Sequence, residues 1–133
     1  MNLQQYNYHC PDCQHNLNTS HGIKLKVSKD NINLGYIYLN PDIGNYEYIL
    51  VGDLSLKENF KYDFDCPICL KNLTSDKCDL YASLRLKVTE DVQFDILFSK
   101  ICNDHKTLIV TEENEFLKGD QLHKYITELQ FDY

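Results

Sequence analysis

Along this chain, aliphatic and polar residues alternate in short runs separated by polar turns. In Ile23-Lys24-Leu25-Lys26-Val27, and again in Leu84-Arg85-Leu86-Lys87-Val88, every second side chain is aliphatic and those between are charged. A period of two puts the aliphatic groups on one side of an extended chain, which predicts half-buried antiparallel strands. Two more runs follow each of these: Tyr36–Leu39 and Tyr46–Val51 in the first half, Asp95–Phe98 and His105–Val110 in the second. Phe94–Phe98 and Ile49–Val51 are more continuously apolar and are expected at the centre of a sheet. Asp30-Asn31, Asn40-Pro41 and Asn103-Asp104 mark turns between the runs. The polar stretch Gly52–Asp65 carries Phe60, Tyr62 and Phe64 in alternation and predicts an edge strand. Only the C-terminus has a helical period. Asp120 suits an N-cap there, and Leu122, Tyr125, Ile126 and Leu129 form one apolar stripe of a short helix packed on the core.

The same order of features occurs twice. Cys10-Pro11-Asp12-Cys13-Gln14-His15-Asn16-Leu17 and Cys66-Pro67-Ile68-Cys69-Leu70-Lys71-Asn72-Leu73 agree at five of eight positions, 56 residues apart. The strand after each knuckle aligns at an offset of 61, through five extra residues around Ser75–Cys78, and the two strands after that align at 59. Those later strands are joined by Pro41-Asp42-Ile43-Gly44 in one half and Lys100-Ile101-Cys102-Asn103 in the other. Both loops end in Gly or Asn, the residues that most readily take positive φ, and a loop of this length sets Tyr46 opposite Leu39. The expected architecture is a mainly β single domain of two tandem knuckle–three-strand repeats, about 8–65 and about 66–133, with a short C-terminal helix.

The two C-P-x-C knuckles together supply four thiols, the complement of a closed tetrahedral metal site. Cys10, Cys13, Cys66 and Cys69 are the expected ligands of one shared ion. The knuckles resemble those of zinc-ribbon and rubredoxin-type proteins, and the resemblance covers the knuckles alone. It implies a four-cysteine site of the zinc-ribbon kind. Rubredoxin-like knuckles usually place glycine after the second cysteine, where this chain has Gln14 and Leu70, and the 52 residues between the knuckles exceed a compact ribbon. One structural zinc is expected, in preference to iron. A closed four-cysteine site has no open coordination position, so it holds structure together rather than activating water. His9 and His15 flank the first knuckle as candidate hydrogen-bond partners of thiolate sulfur. Cys78 lies in the second-half insertion and Cys102 stands where the first half has Ile43, and both are expected as small apolar fillers.

Charge and composition narrow the function. The net charge is −7; residues 1–65 hold eight acids against five lysines, and residues 66–133 hold twelve against eight Lys or Arg. Binding to a phosphate backbone needs clustered basic residues, so no nucleic-acid partner is expected. No apolar run is long enough to span a bilayer, so no membrane association is expected, and no signal-peptide pattern opens the chain. A cytoplasmic location is therefore expected, where six cysteines stay reduced and pair with metal rather than with each other. No Ser/His/Asp order, phosphate-cradling glycine loop or H-E-x-x-H pattern suggests catalysis. Tyr36, Tyr38, Tyr46 and Tyr48 concentrate in the first hairpin, and such side chains suit protein recognition as well as cross-strand packing. The expected function is a non-catalytic, zinc-stabilised module that binds or adapts another protein. The alternative is a thiol-based redox protein or small enzyme using Cys78 or Cys102 near the metal.

Overall fold

A computed structural model describes residues 7–41, 46–52, 54–89 and 92–110, and the backbone of 116–118. Among these residues are ten strands and no helix. The strands are β1 (Asn7–His9), β2 (Asn18–Thr19), β3 (Gly22–Lys29), β4 (Ile32–Leu39) and β5 (Tyr48–Val51), then β6 (Asp63–Asp65), β7 (Tyr81–Lys87), β8 (Gln93–Ser99), β9 (Thr107–Val110) and β10 (Phe116–Lys118). One sheet has the order β1-β7-β8-β9-β10; the other runs β2-β3-β4-β5, with β6 also paired to β3. The chain is mainly β, as the alternation requires. The expected helix over residues 120–129 lies outside the described residues, as does Gly44. No helix among the described residues is long and apolar enough to cross a membrane.

The alternating runs explain the core. Ile23, Leu25 and Val27 of β3 and Ala82, Leu84 and Leu86 of β7 are all buried, while the charged residues between them stay half-exposed. Together with Ile37, Phe94, Ile96 and Ile109 these form one cluster shared by both sheets. Phe64 of β6 meets Phe98 of β8 edge-on, with ring centroids 5.3 Å apart, joining one sheet directly to the other. Lys100, at the end of β8, is 4% exposed and donates to Asp63 Oδ1 at 2.8 Å and Thr74 Oγ1 at 2.7 Å, tying β6 to the opposite sheet.

The two halves exchange strands. β1 precedes the first knuckle yet pairs with β7, and β6 precedes the second knuckle yet pairs with β3. Tyr8 faces Leu86 in one pairing and Phe64 faces Val27 in the other. Within the sheets, Leu25 faces Ile37 and Leu84 faces Ile96. These registers align β3 with β7 at an offset of 59, not 61, so the second half carries three extra residues rather than five, between Thr74 and Tyr81. The physical reason is the period itself. A shift by two leaves an alternating pattern unchanged, so only the cross-strand partners distinguish the offsets.

Two further expectations change. Leu39 faces Tyr48 and Phe98 faces Thr107, so β5 and β9 begin two residues later than the alternation implied. In the second half the intervening residues are consumed by local hydrogen bonds, Ser99 N–H to Lys106 C=O, Asp104 N–H to Ile101 C=O and Ser99 Oγ to Asp104 Oδ2. Asn103 does take positive φ, at 66°. β8 is central as expected, whereas β5 ends the order of its sheet among the described strands, with Ile49 and Val51 exposed. Its apolar run marks an outward face rather than burial on both sides.

Asp30 and Asn31 have φ of 53° and 66°, the two-residue turn whose twist suits a tight hairpin. Beyond it, Val27 pairs with Gly35 and Ser28 with Asn33, leaving Leu34 as the extra residue of a bulge. Gly35 has φ of 147°, and a Cβ there would lie 2.6 Å from the Val51 carbonyl oxygen. Gly35→Ala is therefore expected to lower stability by about 1–3 kcal/mol while leaving metal content unchanged. Thermal melts check this, and an unchanged midpoint would contradict the strained register.

Candidate metal centre

Each knuckle is built by the same hydrogen bonds. In the first, Cys10 N–H donates to His15 C=O at 3.1 Å and Gln14 N–H to Cys10 C=O at 2.9 Å; in the second, Cys66 N–H donates to Lys71 C=O at 3.0 Å and Leu70 N–H to Cys66 C=O at 2.9 Å. Closing these turns holds Gln14 and Leu70 at φ of 63° and 65°. Those are the two positions where rubredoxin-like knuckles usually have glycine. Here L-residues adopt the left-handed conformation at about 1–2 kcal/mol each. The turns aim backbone donors at sulfur. Asp12 and Cys13 N–H groups lie 3.4 Å from Cys10 Sγ, and Ile68 and Cys69 N–H groups 3.4 and 3.5 Å from Cys66 Sγ. Leu17 and Leu73 then donate back to Tyr8 and Phe64 on the strands that lead in, at 2.7 and 2.8 Å.

The four sulfurs of Cys10, Cys13, Cys66 and Cys69 lie within 4.8 Å of one another. The short separations run between knuckles, Cys10 to Cys69 at 3.8 Å and Cys13 to Cys66 at 3.7 Å. A tetrahedron of sulfurs about 2.3 Å from a central ion has edges of about 3.8 Å, so this donor set fits a metal ion. A disulfide would need about 2.0 Å, and all six cysteines are free. Cys10 and Cys66 are wholly buried, Cys13 is half-buried and Cys69 exposed, so solvent reaches one side of the cluster. Lys71 Nζ lies 3.1 Å from Asp12 Oδ1 across the two turns, an exposed pair worth at most about 1 kcal/mol.

Electrostatics divide the cluster. Burial pushes the Cys10 thiol up and the Cys66 thiol up to about 12, against the pull of the backbone N–H groups on each sulfur. Cys13 is held down at about 6, first by the His15 backbone N–H, with the His15 side chain also hydrogen-bonding to it. The exposed His15 thus bears on the sulfur, whereas His9 Nδ1 is buried with no hydrogen-bond partner among the described residues. Cys78 and Cys102 stand outside the cluster. Cys102 packs partly buried against the core, its thiol pushed up by burial and hydrogen-bonded with the Tyr48 hydroxyl. Another contact has no signal in the residue pattern, a ring stack of Tyr46 on His105 with centroids 4.5 Å apart. Comparison of the chain with protein-family models, with curated proteins and with solved structures finds no match.

The pH dependence follows from the thiols. A cation must displace the protons of Cys10 and Cys66, so affinity is expected to fall as pH drops. Zinc titrations by calorimetry, in buffers of different ionisation enthalpy at neutral pH, should show proton release; none would contradict the ligand set. In the metal-free protein the sign reverses. The folded chain keeps the Cys66 proton to about 12 whereas an ordinary thiol releases it near 9.0, so stability should decline as pH rises through that window. Leu70 is 60% exposed and loses little packing on truncation, so Leu70→Gly should raise stability by about 0.5–1 kcal/mol, read from the melting midpoint.

Proposed function

We propose that this chain is a non-catalytic, zinc-stabilised β scaffold that docks another protein, built from two tandem knuckle–strand repeats around one zinc-ribbon-like four-cysteine site. The observation that carries the metal clamp is the pair of cross-knuckle sulfur separations, 3.8 and 3.7 Å, each joining one half to the other. Matching hydrogen bonds 56 residues apart and matching registers 59 apart support the duplication. A tetrahedron of four thiolates accommodates zinc or iron. Zinc is preferred because Gln14 and Leu70 depart from the rubredoxin pattern and nothing else in the chain calls for electron transfer. With all four positions filled by sulfur, the ion contributes stability on the order of 10 kcal/mol rather than chemistry.

Docking rests on the outer face of β4 and β5. Tyr36 pairs with Val51 and Tyr38 with Ile49, on the side opposite buried Ile37. Val110, at the position corresponding to Val51, is 5% exposed against 45%, and Leu97, at the position corresponding to half-exposed Tyr38, is buried. Lys24 and Lys26 lie beside the tyrosines, with Lys24 Nζ 4.6 Å over the Tyr36 ring. The proposed partner presents apolar residues next to an acidic group. The net charge of −7 argues against nucleic acid, and the retention of six free thiols suits the cytoplasm. A redox role for Cys78 or Cys102 has less support. Neither thiol joins the cluster, and a thiol pushed up by burial, as in Cys102, is a poor nucleophile.

Protein purified without chelator is expected to be colourless with about one zinc per chain. Cys13→Ser and Cys69→Ser should reduce zinc retention and melting temperature alike, and the double variant should be little worse than either. Red, iron-loaded protein, or additive losses with two zincs per chain, would overturn the shared site. For the docking face, a photo-crosslinking amino acid at Ile49 should capture one discrete protein in cells. Excess wild-type chain should compete for that adduct and Val51→Asp should not, with its zinc content and melting temperature unchanged. Equal competition by the variant would remove the face from the proposal.

A further inference from the structure

We propose that the space between the two sheets is a binding site for a small uncharged molecule about the size of one aromatic ring. The space is a cavity of about 140 Å³. Ile23, Ile37 and Leu39 wall it from one sheet, and Leu84, Ile96 and Phe98 from the other. Protein interiors seldom leave voids larger than a water molecule. These six side chains offer a water no polar partner, and apolar spaces of about 150 Å³ admit benzene. The volume and the walls therefore match a single ring.

The surroundings select against charge. Lys100 lines one end, but its ammonium is engaged by Asp63 and Thr74. At the rim Glu47 and Asp104 stand with Lys106, which pairs with Asp104 at 3.8 Å, so charges of both signs are present and neither an anion nor a cation is drawn in. Among the polar groups that line the pocket, the Tyr48 hydroxyl and the Cys102 thiol influence each other. Burial weakens both groups as acids, so each keeps its proton and suits one hydroxyl of a ligand. Tyr46, stacked on His105 with the rings 4° from parallel, forms part of the rim, its hydroxyl 3.4 Å from Thr107 Oγ1. This inference uses the inner faces of the sheets. It is independent of both the metal and the outer docking face.

The test uses the full zinc-loaded chain with benzene, phenol, benzoate and benzylammonium as probes. Amide NMR shifts and thermal melts should show saturable binding of benzene and phenol, with phenol at least as tight. Benzoate and benzylammonium should bind at least about tenfold more weakly. Intermolecular NOEs from benzene protons to the methyl groups of Ile37 and Ile96 would locate the site in the wild-type protein without any variant. Ile37→Phe and Leu84→Phe, each read only if zinc content and melting temperature match wild type, should weaken phenol binding about tenfold or more. No saturable shift up to the solubility of benzene, NOEs only to residues outside the cavity, or equal binding of benzoate would overturn the proposal.

Discussion

Four sulfurs from two turns far apart in the sequence occupy one small volume, and the rest of the chain is arranged around that convergence. Cys10 and Cys66 are wholly buried, so as thiolates they would be costly without a cation between them. As thiols they are tolerated, and burial accordingly makes them weaker acids. The backbone N–H groups aimed at each buried sulfur pull in the opposite direction, toward the charged form. The site is thus prepared for thiolate and lacks only positive charge. A structural ion there would contribute on the order of 10 kcal/mol, comparable with the whole stability of a domain this size.

Reciprocal strand pairing is what makes the two turns face each other. Each knuckle follows a strand that belongs to one sheet and precedes a strand that belongs to the other: β1 lies with β7 while β3 lies with β6. The knuckles therefore sit where the chain crosses between sheets. A metal in this position does not tie together two finished halves. It would secure a crossing already closed by backbone hydrogen bonds and by a core that both sheets share. Neither half holds its own leading strand, so neither has a complete sheet to offer alone.

On this common frame the two halves differ where side chains leave the core. The second half buries Leu97 and Val110 at places where the first exposes Val51 and sets Tyr38 half-exposed. The first half has Pro41 where the second has Lys100, whose buried ammonium is satisfied by Asp63 and Thr74. Tyr46 and His105 occupy equivalent places and stack on each other at the rim of the inter-sheet cavity. Positions that close turns and fill inner faces match closely between the halves, while positions free of that duty differ.

What the residues settle without reference to distant neighbours is local. Alternation identified the buried faces of β3 and β7, because a period of two sorts side chains whatever lies across from them. Asp30-Asn31 was legible as a turn and Asn103 as a left-handed position, and the C-P-x-C spacing named the four thiols that converge. The remainder was settled by tertiary contacts. They chose the offset of 59 over 61, since a two-residue slip preserves every inward face and only the partner strand can forbid it. They also put β1 and β6 in each other's sheets, because a backbone N–H has the same chemistry whichever strand accepts from it. The exposure of β5 and the void behind it depend on what packs against them, and that is set by contacts between residues far apart in the chain, which no local pattern records.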